Sequence, residues 1–123
     1  MDLSAVDIGV TGEDLACKYL IEQGYSILNR NFRYGSLEID IVALKEDTLA
    51  FAEVKTRSFG SLVSPLEAVT RQKQRNIINA AAFYVKKYNC SQEVSFDIIT
   101  VKLYAGRDPE IEHIPNAFYP QFR

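Results

Sequence analysis

Twenty residues, Leu37 to Thr56, constrain this chain more tightly than any other stretch. Leu37, Ile39, Ile41 and Ala43 alternate with Glu38, Asp40, Val42 and Leu44, a period of two that predicts a strand with one strongly apolar face. Lys45 to Thr48 is short and polar, and Leu49 to Thr56 is again apolar and β-prone, so the segment reads as an antiparallel hairpin. If Glu46 and Asp47 alone form the turn, Lys45 faces Thr48 and the numbers of cross-strand partners sum to 93. Asp40 then stands opposite Glu53 and Glu38 opposite Lys55, with all four on one face. A turn one residue longer or shorter would put Asp40 and Glu53 on opposite faces.

The remaining elements are read around this hairpin. Thr11 is a candidate N-cap, with Gly12, Glu13 and Asp14 in the first turn, Leu15, Ala16, Tyr19 and Leu20 on one apolar face, and Gly24 as the C′ stop. Tyr25 to Arg33 reads as a strand and Tyr34, Gly35 and Ser36 as a turn. After a small-residue loop from Ser58 to Ser64, Ser64, Pro65 and Glu67 form a capping box. Thr70 caps a longer helix to about Tyr88, which buries Ile77, Ile78, Ala81, Tyr84, Val85 and Tyr88. Val94 to Leu103 is a long strand, and Ile111 to Ile114 a short one before Pro115. The order αβββαββ predicts a single α/β domain over residues 1–123, a central mixed sheet flanked by helices.

Scarce residues exclude whole classes of chemistry. With His113 as its one histidine, the chain cannot supply a three-His zinc site or a pair of catalytic histidines. Cys17 and Cys90 are too few for a zinc ribbon or a disulfide framework, and read as inert thiols in a reducing compartment. No apolar run approaches a membrane span and the first ten residues lack a basic leader, so a cytoplasmic protein without membrane contact is expected. The formal charge of −2 conceals an asymmetry: Met1 to Ala52 carries −5, Glu53 to Cys90 +5, and Ser91 to Arg123 −2. Overall charge does not favour a polyanion, but the middle segment can contact one.

Two carboxylates facing each other across a hairpin repel, and a divalent cation turns that repulsion into binding. Mg²⁺ takes hard oxygen ligands, commonly one or two carboxylates with water and a substrate phosphate. Lys55, two residues beyond Glu53, is suited to orienting an attacking water or offsetting charge in a phosphoryl transition state. The plainer alternative pairs Glu38 with Lys55 as a cross-strand ion pair and leaves Asp40 and Glu53 facing solvent.

Asp40, followed thirteen residues later by Glu53-Val54-Lys55, resembles the D…(D/E)-x-K core of restriction-endonuclease-like nucleases. More narrowly, Gly9 to about Val101 resembles the YraN-type family of that superfamily. The pieces that carry the likeness are Gly9-Val10-Thr11-Gly12-Glu13 with Ala16, Asn29 to Arg33, Glu38-Ile39-Asp40, Phe51 to Arg57, Ala68-Val69-Thr70 with Lys73, and Phe96-Asp97. The resemblance implies a restriction-endonuclease-like fold with Asp40 and Glu53 as ligands of Mg²⁺ (or Mn²⁺) and Lys55 as the catalytic lysine. Glu13 matches the helix glutamate that completes the site in the similar Holliday-junction resolvases, and Glu38 is assigned a supporting or Lys55-pairing role. Leu37 stands where the family usually has Gly, and Ile39 where the superfamily signature has Pro; neither change removes a carboxylate or the lysine.

The expected activity is a Mg²⁺-dependent endonuclease acting on structured or branched DNA, of junction or flap type, in repair or recombination. A non-catalytic nucleic-acid- or protein-binding module on the same fold is the alternative. Arg30, Arg33, Arg57, Arg71, Lys73 and Arg75 are candidate phosphate contacts. Tyr34 is read as packing its loop rather than a base, and Asp97 and His113 as structural. Apolar residues near Phe118, Tyr119 and Phe122 leave a homodimer open.

Overall fold

The hairpin is present, with the register that a two-residue turn dictates. In a computed structural model that describes residues 5–58 and 69–120, β2 (Leu37–Lys45) pairs antiparallel with β3 (Thr48–Ser58), from Lys45↔Thr48 to Ile41↔Ala52. Each of those rungs sums to 93. Around it lie α1 (Ala5–Glu22), β1 (Ser26–Tyr34), α2 (Arg71–Lys87), β4 (Glu93–Tyr104) and β5 (Arg107–Phe118), in the expected order. The five strands form one mixed sheet in chain order, antiparallel except where β3 and β4 run parallel.

The sheet is buried on both faces, each under one helix. Ala16, Cys17 and Leu20 of α1 pack with Ile41, Ala43, Ala52, Val54, Ile99 and Val101. On the other face, Ile77, Ala80, Ala81 and Tyr84 of α2 pack with Ile39, Val42, Phe51, Phe96 and Ile98 among others. Both clusters contain residues of β3 that are adjacent in sequence, as a central strand covered on both sides requires.

Helix termini follow their capping chemistry. The Thr70 hydroxyl accepts from Lys73 N at 3.1 Å and starts α2. Gly24, at φ +97°, ends α1 in a Schellman arrangement: Tyr25 N donates to Leu20 O at 2.9 Å and Gly24 N to Ile21 O at 3.0 Å.

Four expectations need correction, and a fifth falls outside the described residues. Helix α1 begins at Ala5, so Thr11 lies inside it; the polar Thr11-Gly12 pair resembles a start signal but is carried through by packing on β3. Strand β5 runs for 12 residues instead of four, because an edge strand has a free side on which Pro109 and Pro115 need no ladder partner. Tyr88 is 49% exposed and sits at the C-cap of α2, leaving Tyr84 as the buried tyrosine of that helix. The expected single apolar face of β2 divides: Ile39 packs on the α2 side with Val42, whereas Ile41 and Ala43 pack on the α1 side. The Ser64-Pro65-Glu67 capping box lies outside the described residues.

That division of β2 falls at Asp40. On the facing strand Asn31 adopts φ +53°, between the rungs Arg30↔Ile41 and Phe32↔Ile39. Both strands therefore change their alternation at one level, and the β2–β3 ladder stops at the same place. A kink shared by two strands opens the sheet where the acidic residues sit.

Candidate active site

Where the ladder stops, side chains take over from backbone. Asp40 Oδ2 accepts from Val54 N at 2.8 Å, so its carboxyl group stands in for the missing rung. Glu53, the next residue of β3, is 3% exposed although polar. Asp40 is pushed up to about 8, first by burial and then by the Glu53 charge beside it, with a smaller push from Glu13 and from a hydrogen bond to Glu53. The Val54 amide opposes these effects without cancelling them. Asp40 and Glu53 thus meet as the hairpin register requires, through their side chains instead of a ladder rung.

Two ammonium groups meet the buried glutamate. Lys55 Nζ lies 3.3 Å from Glu53 Oε1, and Lys73 Nζ, from the first turn of α2, lies 3.4 Å from the same oxygen. The other oxygen, Oε2, is buried and has no hydrogen-bond partner among the described residues. An unpartnered buried carboxylate oxygen in a native fold calls for a ligand, water or ion.

Helix α1 brings a third carboxylate to the rim. Burial raises Glu13, against the nearby Arg30 guanidinium, and the charges of Glu38 and Glu53 add to the rise. With its amide oriented to give both acids a partner, Asn31 donates to Glu13 Oε1 at 3.0 Å and Glu38 Oε1 at 2.8 Å. Glu38 also meets Arg33 Nη2 at 3.4 Å, so the proposed Glu38–Lys55 pair is replaced by Glu38–Arg33, and Lys55 turns to Glu53. The physical reason is the stopped ladder: beyond Ile41 and Ala52, β2 pairs only with β1.

The placement of Glu13 depends on one glycine. A Cβ on Gly12 would overlap Thr56 Oγ1 and come within 2.8 Å of Thr56 Cβ and 2.9 Å of Cγ2. No rotation of Thr56 relieves all three contacts, so Gly12→Ala forces α1 away from β3. A loss of about 1–3 kcal/mol is expected, read as a lower urea midpoint at unchanged slope, with partial recovery in Gly12→Ala/Thr56→Ala. A midpoint equal to wild type would show that the helix is not held at this contact.

The other basic candidates divide. Arg30 pairs with Asp14 at 2.8 Å and Arg33 with Glu38, both on the rim. Arg57 donates to the Thr56 carbonyl at 3.1 Å; Arg71 and Arg75 are exposed on α2, Arg75 donating to Gln72 Oε1 at 3.0 Å. Lys73, a candidate phosphate contact, also reaches Glu53 in the acidic site. Tyr34 stacks on Phe83 at 4.3 Å, the packing role expected of it. Asp97 is 1% exposed and accepts from Ser95 Oγ and Asn116 N, with His113 Nε2 at 2.7 Å, a set of partners that fits the structural role expected of it. Phe118 is buried in the core, Tyr119 is 64% exposed, and Phe122 lies outside the described residues.

Lys73 and Asn31 escaped assignment to the acidic site. For Asn31 the signal was available: it lies in the Asn29 to Arg33 stretch, and Asn tolerates positive φ where most residues do not.

A model of uncharacterised protein family UPF0102 matches residues 12–101, a span that contains Glu13, Asn31, Asp40, Glu53, Lys55 and Lys73. The chain belongs to UPF0102. A UPF0102 protein of Chlorobium phaeobacteroides is 47% identical over 118 residues, covering 91% of this chain and 94% of the relative. One of Bacteroides fragilis is 47% identical over 113 residues, covering 92% and 93%, and one of Parabacteroides distasonis 44% over 118 residues, covering 95% and 96%. This UPF0102 chain is therefore similar to its relatives over nearly their full length. Among the described residues, no helix is long and apolar enough to cross a membrane.

The same residues bear on which ion could fit. Among the described residues no group of three or more His, Cys, Asp or Glu side chains is arranged to hold a metal. Asp40 and Glu53 by themselves suit Mg²⁺ or Mn²⁺, which complete their shells with water and substrate oxygen, and do not suit zinc.

Proposed function

We propose that this protein is a Mg²⁺-dependent endonuclease that hydrolyses phosphodiester bonds of structured DNA, on a restriction-endonuclease-like fold. The observation that carries the reading is the buried Asp40–Glu53 pair at the open end of the β2–β3 ladder, with Glu53 Oε2 unpartnered and Lys55 Nζ 3.3 Å from Oε1. Ordinary sheets avoid such a pair, since like charges facing each other are destabilising and burial adds to the cost.

Asp40 and Glu53 would hold the ion, Glu53 through the oxygen that now lacks a partner. When bound, Mg²⁺ supplies charge stabilisation at phosphate oxygens and a more acidic water. The chain's own residues do the rest. Lys55 lies on the rigid β3 beside Glu53, where its ammonium can orient an attacking water and offset the negative charge that grows on phosphorus-bound oxygens. The water oxygen forms a new P–O bond, one ester P–O bond breaks, and the products end in a phosphate and a hydroxyl. Glu13 and Glu38, tied together by Asn31, keep the rim acidic and leave the basic first turns of α2 to face the DNA backbone.

The test is cleavage of single-stranded, flap and four-way DNA by the purified protein, in Mg²⁺ and then in EDTA. Cleavage in Mg²⁺ and none in EDTA, with one DNA shape preferred, supports the reading. A wild-type protein that binds DNA and leaves every substrate intact in both Mg²⁺ and Mn²⁺ overturns it in favour of a binding module.

A further inference from the structure

We infer that Lys73 is a counter-ion of the metal-free site, which a divalent cation displaces from Glu53 and which then engages a phosphate of the bound DNA. The inference rests on the metal-site reading above and adds to it a second lysine with a distinct task.

Charge balance is the first support. Glu53 already faces two ammonium groups, Lys55 and Lys73. A divalent cation added to that group raises its positive charge further, so each ammonium opposes its binding. A phosphodiester brings one negative charge that offsets part of the excess, which couples ion and DNA binding favourably.

Geometry selects which lysine moves. Lys55 rises from β3, the strand that carries Glu53, and its side chain is 21% exposed. Lys73 comes from the first turn of α2, its side chain is 41% exposed, and the helix beside it presents Arg71 and Arg75 to solvent. A long side chain with one end in water can leave Glu53 at little cost, and the neighbouring cations mark where an anionic backbone would lie. Moreover, both ammoniums sit on Oε1 while Oε2 has none, so the pair neutralises Glu53 without completing its hydrogen bonding.

Lys73→Met tests this, with Lys73→Arg as the charge-preserving control. Without DNA, calorimetry should find Mn²⁺ bound about two- to fivefold more tightly by Lys73→Met than by wild type, the range that a half-exposed ion pair supports. Lys73→Arg should match wild type. With Ca²⁺ in place of Mg²⁺, binding of a duplex should lose about one unit from its salt slope in Lys73→Met, and the gain in ion affinity that DNA confers on wild type should shrink. Unchanged or weaker Mn²⁺ binding by Lys73→Met, beside normal binding by wild type, overturns the displacement while leaving the metal site standing. Wild type that binds no Mn²⁺ overturns both.

Discussion

Asp40→Asn should melt above wild type in the absence of divalent cations, with a gap that widens as pH rises from about 4 to about 8. In the folded chain Asp40 is raised from 3.8 to about 8 by burial and by Glu53. A carboxyl group raised in this direction contributes stability that is complete below its unfolded value and is lost as pH climbs through its folded value. Wild type thus gives up stability across that window while the amide variant, with nothing to ionise, does not. The amide oxygen can still accept from Val54 N, so the bond that replaces the ladder rung survives. On the order of 2 kcal/mol, or roughly 5–10 °C in a domain of this size, is expected at pH 8, and little difference at pH 4. Adding Mn²⁺ should reverse the ranking. Wild type gains stability from the bound ion, whereas Asp40→Asn has lost a ligand charge and should neither shift in melting temperature nor cut DNA. Scanning calorimetry across pH, with and without Mn²⁺, reads both arms. A variant that melts below wild type at pH 8 without metal would remove the strained carboxylate pair from the account.

Lys55→Ala should separate binding from chemistry. Glu53 keeps Lys73 as a partner and Oε2 remains open, so Mn²⁺ affinity should stay within a few-fold of wild type or rise. Cleavage in a single turnover should fall by about 10²–10⁴-fold, the cost of losing a positioned charge or proton-handling group at a reacting centre. Lys55→Arg keeps the charge but moves the donors, and should recover only part of the rate. Equal single-turnover rates for wild type and Lys55→Ala at saturating metal would take Lys55 out of the mechanism and turn attention to Lys73.

Much of the architecture was legible because its determinants are local. The two-residue turn at Glu46-Asp47 sets every rung of the hairpin as far as Ile41↔Ala52, and Thr70 and Gly24 mark a helix start and a helix stop by their own hydrogen bonds or dihedral angles. What escaped depends on contacts between distant parts of the chain. The alternation of β2 breaks at Asp40 because a carboxylate substitutes for a backbone rung and because Asn31 kinks the opposite strand, neither of which a period of two can express. Lys73 reads as one cation among several on α2 until the helix docks and sets it beside Glu53, twenty residues earlier in the chain. Gly12 reads as an ordinary first-turn residue of a helix until Thr56 is seen against it. Two prolines in β5 suggest a loop, and only a place at the edge of the sheet makes them harmless.

The division of labour across the sheet has a practical side. Every described residue of the acidic site comes from α1, β1, the β2–β3 hairpin or the start of α2, and the β4–β5 hairpin contributes none. Its turn, Ala105-Gly106, follows Ile98, the partner of Glu53, by enough strand to stand about 20 Å away, and Gly106 at φ +75° has open space around it. The parallel register ends at Ser58↔Leu103, so this turn lies beyond the same end of β3 that carries Lys55 and Arg57, and a fluorophore spliced between its two residues would stand on the side where the β2–β3 ladder opens and report on what approaches the acidic mouth.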